Sequence, residues 1–72
     1  MLTPAQLRAA RALLGIDQRT LAYRAGVSLP TIQRMETSAG YFVRGVVGTL
    51  TKVVTALERE GIELISENSV SM

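Results

Sequence analysis

Gln18-Arg19-Thr20-Leu21-Ala22-Tyr23-Arg24-Ala25-Gly26-Val27-Ser28-Leu29-Pro30-Thr31-Ile32-Gln33-Arg34-Met35-Glu36 reads as two short helices joined by a tight turn. Asp17, just before this stretch, caps the first helix, and its negative charge suits a helix N-terminus. Leu21, Ala22 and Ala25 recur at helical spacing and form an apolar face. Gly26 supplies the positive φ that ends this helix and redirects the chain. Ser28 then caps a second helix, with Pro30 in the first turn, where a missing N–H costs nothing. Two helices crossing steeply over so short a turn need a small residue at the crossing, which is Ala22, and an apolar plug inside the turn, which is Val27. Ile32 and Met35 pack back onto Leu21 and Ala25. That leaves Leu29, Pro30, Thr31, Gln33 and Arg34 on the outer side of the second helix.

Working outward, Thr3-Pro4-Ala5-Gln6 carries an N-cap, a proline at the first helical position and a capping-box glutamine. Leu7, Ala10 and Leu14 continue it as a helix over about residues 4–14, which Gly15 stops. After Glu36, Thr37-Ser38-Ala39-Gly40 is a loop by composition. Tyr41-Phe42-Val43 is ambiguous and is read as an extended stretch lying over the core. Val46, Val47, Leu50, Val53, Val54 and Leu57 give a wide apolar stripe for a last helix over about 46–60, with Thr49 as an alternative cap and Gly61 as its stop. Ile62-Glu63-Leu64-Ile65 reads as a short strand, and 66–72 as a polar, disordered tail. The expectation is an all-α domain over residues 1–65, a compact bundle of four helices with a short C-terminal strand and connections of ordinary length.

At 72 residues the chain is one domain at most. It has no cysteine and no histidine, so no disulfide, no thiolate metal site and none of the usual nucleophile pairs can be built. An enzyme is not expected, nor a cofactor or a metal. No apolar run approaches the ~18 residues that span a membrane, and no signal peptide is read at the N-terminus, so a cytoplasmic protein is expected. The net charge of +2 says little, but its distribution is uneven. Residues 1–44 hold Arg8, Arg11, Arg19, Arg24, Arg34 and Arg44 against Asp17 and Glu36; residues 45–72 hold Lys52 and Arg59 against Glu58, Glu60, Glu63 and Glu67. The basic half carries the two-helix stretch, and it is basic through arginine, whose planar fork suits phosphates and guanine edges. A solvated surface is the plain alternative for those arginines. Arg11, Arg19, Arg24 and Arg44 are candidates to neutralise phosphate beside Arg34.

Gln18, Leu21, Ala22, Ala25, Gly26, Val27, Ser28, Ile32 and Glu36, at these spacings, resemble the helix-turn-helix of the lambda-repressor and Cro-like (Xre) family. The resemblance extends over about 60 of the 72 residues, with one helix before the motif and one after it. A generic helical hairpin would account for Ala22, Gly26 and Ile32, but not for Gln18, Ser28 and Glu36 together. The resemblance implies a lambda-repressor-like fold and sequence-specific binding of double-stranded DNA, with the second helix of the motif in the major groove. By position, Gln18 would hold a phosphate and brace the recognition helix, unless it is simply solvated. Ser28 would cap that helix and also meet phosphate or base. Glu36 would close a structural ion pair and stay off the DNA. Tyr41 and Arg44 fall where relatives clamp the sugar-phosphate backbone, although Tyr41 fits a core position equally well. Leu29 and Pro30 depart from the polar base-reading residues many relatives carry there, which points to contact with thymine methyls and puts more weight on Thr31, Gln33 and Arg34. Arg34 is the best single candidate for reading guanine; a phosphate contact or an intrahelical pair is its alternative.

The resemblance further implies a homodimer on a near-palindromic operator, acting as a transcriptional repressor. Val54, Leu57, Ile62, Leu64 and Ile65 are the expected dimer interface, because the apolar residues there exceed what one small core needs. The alternative is a protein-binding role, as an antitoxin or antiactivator built on the same fold, with the acidic C-terminal half and residues 66–72 as the contact for a protein partner.

Overall fold

A computed structural model describes residues 2–37, 47–66 and 69–72. Among these residues the chain is mostly helical, with four helices and one two-stranded sheet. The helices are α1 (Pro4–Leu14), α2 (Gln18–Ala25), α3 (Leu29–Thr37) and α4 (Val47–Arg59); the strands are β1 (Glu63–Ser66) and β2 (Ser69–Ser71).

Local chemistry sets most of the boundaries. At the start of α1 the Thr3 hydroxyl accepts from the Gln6 backbone N–H at 3.0 Å, and the Gln6 side-chain oxygen accepts from the Thr3 N–H at 3.0 Å. This reciprocal pair satisfies two of the orphan donors of a helix N-terminus. Gly15 ends the helix in the left-handed region at φ 67°. Asp17 Oδ1 accepts from the Thr20 N–H at 2.7 Å and opens α2, which Gly26 ends at φ 71°. Ser28 Oγ accepts from the Thr31 N–H at 3.3 Å at the head of α3. After α4, Gly61 turns the chain at φ 89°, and the Ile62 N–H donates to the Leu57 carbonyl at 3.1 Å.

The hydrogen bonds from the Thr20 side chain and backbone hold the Asp17 carboxyl below the usual carboxylate range. A carboxyl depressed in the folded state stabilises the fold above its unfolded pKa, and that stabilisation is lost as pH falls through the folded value. Melting temperatures between pH 5 and pH 2 should therefore fall more steeply for the wild type than for Asp17→Asn, which keeps a capping oxygen but does not titrate. Parallel curves would show that the cap contributes nothing to acid sensitivity.

The core joins all four helices and the residue before the sheet: Leu2, Leu7 and Ala10; Leu21, Ala22 and Ala25; Ile32 and Met35; Val53, Ala56 and Leu57; and Ile62. Leu14, Ile16, Val27, Leu50, Val54, Leu64 and Val70 pack against it half-buried. Ala22 is buried and Val27 plugs the turn from inside, as the spacing predicts.

Two expectations need correction. The chain after residue 65 is not simply a disordered tail: Ser69–Ser71 forms β2, antiparallel to β1, with Glu63 opposite Ser71, Leu64 opposite Val70 and Ser66 opposite Ser69. Val70 packs on the core, and Gln6 Nε2 donates to the Ser69 carbonyl at 3.3 Å, so β2 is tied to α1 as well as to β1. The expected dimer surface is also largely interior. Leu57 and Ile62 are buried in the core, and Val54 and Leu64 pack against it. Of the five residues only Ile65 stands exposed, at 63 %. The apolar excess that suggested a partner is used within the chain, because a domain this small needs both α4 and the sheet to close its core.

Candidate nucleic-acid interface

The sequence of α3 divides cleanly into two faces. Ile32, Met35 and Glu36 are buried, whereas Pro30, Gln33, Arg34 and Thr37 are exposed. The exposed four stand at i, i+3, i+4 and i+7, one continuous stripe along the helix. Leu29 and Thr31 are half-buried at its margins, and Ser28 is exposed at its head with its hydroxyl 2.8 Å from that of Thr31. Thr37 was not singled out from the sequence, which places a loop there; its spacing seven residues after Pro30 is the signal that finds it. Its hydroxyl donates to the Gln33 carbonyl at 2.8 Å.

The opposite side of α3 is fixed by one buried carboxylate. Glu36, only 3 % exposed, accepts from Arg11 Nε at 2.6 Å and from Arg11 Nη2 at 2.8 Å. Gln18 Nε2 adds a third bond, to Glu36 Oε1 at 3.2 Å. The Glu36 hydrogen bonds, together with its charge, raise the Arg11 guanidinium above its ordinary value against a smaller opposing cost of burial. The residues that the motif places at its two ends, Gln18 and Glu36, thus meet in space and brace α2 against α3. Arg11 joins them from α1.

Two of the candidate phosphate-neutralising arginines are engaged elsewhere. Arg11 is committed to Glu36, and Arg24 pairs with Glu60 just beyond α4. Arg19 and Arg34 are exposed, on α2 and α3. Tyr41 and Arg44 lie outside the described residues. Tyr23, on α2, is 87 % exposed, and nothing in its sequence context sets it apart from the rest of that helix. Its place beside the exposed Arg19 follows from the four-residue spacing alone.

Among the described residues no group of three or more acidic side chains stands close enough to hold a metal ion. No described helix is long and apolar enough to cross a membrane. A comparison with protein-family models finds no match to this chain, and a comparison with curated proteins finds none either.

Proposed function

We propose that the chain is a sequence-specific DNA-binding transcription regulator, with α2 and α3 as a helix-turn-helix of the lambda-repressor-like kind and the exposed stripe of α3 as its reading face. The single observation that carries this reading is the stripe itself: Pro30, Gln33, Arg34 and Thr37 are exposed on a helix whose other face is buried and ion-paired. In this reading the helix offers polar side chains to base edges in a major groove, and Arg34 is the residue that would meet guanine O6 and N7. The partner is double-stranded DNA. One small module buries limited area, so the proposal includes a homodimer on a near-palindromic operator, acting as a repressor that covers a promoter.

The test is binding to a duplex selected by the wild-type protein from a random pool. Arg34→Ala should weaken the selected duplex by about 1–3 kcal/mol and relax preference at one position per half-site. An equal loss on every sequence would make Arg34 a phosphate contact instead. With Arg11 and Arg24 paired to glutamates and Arg34 assigned to a base, Arg19 is the described arginine of the motif assigned to phosphate. Arg19 should therefore contribute about −1 to the slope of log K against log salt for each protomer bound.

One observation favours a second reading. Tyr23 at 87 % exposure is a large amphipathic side chain of the kind enriched at protein interfaces. A protein partner docking there, as for an antitoxin or antiactivator, predicts that Tyr23→Ala abolishes activity in cells while Arg34→Ala spares it.

A further inference from the structure

The last turn of any α-helix carries carbonyls with no intrahelical N–H to accept from. Glu36 lies in the last turn of α3, which spans Leu29–Thr37. Arg8, from α1, donates through Nη1 to the Glu36 carbonyl. Arg11, three residues further along α1, takes the Glu36 side chain at 2.6 and 2.8 Å. Residues three apart lie on one face of a helix, so α1 presents two guanidinium groups to a single residue of α3. One holds its carboxylate and the other its main chain. The two roles differ physically. The ion pair anchors a side chain that has its own rotamers, whereas the carbonyl bond fixes the helix end itself and sets a cation against the negative end of the dipole.

We infer that Arg8 is a positioning residue that fixes the last turn of α3 through the Glu36 carbonyl, and so sets where Arg34 and Thr37 point. The effect on recognition rests on the DNA-binding reading; the clamp itself does not. Arg8 is exposed, unlike Leu7 and Ala10 beside it, which are fully buried in the core. Its removal therefore leaves the packing of α1 intact and acts on the end of α3 alone.

Two measurements on Arg8→Ala and Arg8→Lys test this. The first is amide hydrogen exchange at Met35, Glu36 and Thr37. Arg8→Ala should speed exchange there by about two- to fivefold, the factor a cation at a helix C-terminus supplies, and Arg8→Lys should restore it, since an ammonium also donates and carries the charge. Amides of Leu7 and Leu21 should not change. Unchanged rates in the last turn overturn the clamp, and so does an equal increase at the core amides, which would mean that Arg8 supports the whole fold. The second measurement is a salt titration of binding to the selected duplex. Arg8→Ala should lower affinity severalfold with the slope unchanged, because a positioning residue displaces no counterion. A slope shallower by about one would make Arg8 a phosphate contact and overturn the assignment. If the wild type selects no duplex at all, the DNA-binding reading fails, and the exchange data still decide the clamp.

Discussion

Arg11→Met should destabilise the protein by about 2–4 kcal/mol, the cost of leaving the buried Glu36 carboxylate without its charged partner, reduced because the Arg11 side chain is itself 22 % exposed. Glu36 is 3 % exposed and receives two of its three side-chain hydrogen bonds from Arg11. Methionine fills much of the volume of the arginine stem but donates nothing, so the carboxylate keeps only Gln18. A chain of this length has roughly 4–11 kcal/mol of stability in all, at about 0.05–0.15 kcal/mol per residue. The single substitution therefore removes a large share of the total and lowers the midpoint of urea unfolding. The double variant Arg11→Met, Glu36→Gln should recover most of the loss, because the charge is gone and the glutamine oxygen still accepts from Gln18. Urea titrations of the wild type, the single and the double variant measure both terms. A single variant within 1 kcal/mol of the wild type would mean that α3 is held by its apolar face alone, and that Gln18, Arg11 and Glu36 are a surface arrangement with no consequence for the stripe.

This ion pair also marks how far the sequence can be read. The caps and stops were legible because they are local: Thr3 with Gln6, Asp17 with Thr20, and the left-handed glycines 15 and 26 each act within a few residues. The two faces of α3 were legible from periodicity, since Ile32 and Met35 fix the buried side and the rest follows. The need of Glu36 for a partner was carried by the resemblance of its motif, but the partner was not, because Arg11 stands 25 residues away and competes in the sequence with five other arginines of the basic half. The same holds for Arg24, which meets Glu60 across 36 residues. Charge counted along the chain thus overstated the arginines free for phosphate.

Apolar residues past Leu57 posed a different problem. A stripe wider than one helix face shows that something covers it, without saying whether the cover is a second copy or the same chain. Ser69-Val70-Ser71 has one apolar residue and no run, so nothing local announces a strand. It becomes one because β1 offers an edge and α1 offers Gln6 and a place for Val70.

That choice between self-cover and a partner has a decisive test in Ile62 and Ile65. Ile62→Asp should unfold the protein. Ile62 is 2 % exposed and belongs to the same core as Leu57. Removing a buried aliphatic side chain of this size costs about 2–5 kcal/mol, and the aspartate adds a charge with no partner among the buried residues around it. The sum is comparable with the roughly 4–11 kcal/mol of stability a 72-residue chain holds. Circular dichroism at 25 °C should show the helical signal lost. Ile65→Asp, three residues on in β1 and 63 % exposed, should keep that signal and change stability by no more than about 0.5 kcal/mol. Ile65→Asp is then the variant that interrogates the proposed homodimer: light scattering on it and on the wild type reads whether β1 carries the contact, with the mass halved if it does, unchanged from a dimer if the protomers meet elsewhere, and monomeric for both if the proposed dimer does not form. A well-folded Ile62→Asp would overturn this account, since it would place Ile62 on a surface and return residues 62–65 to the role of an interface between copies.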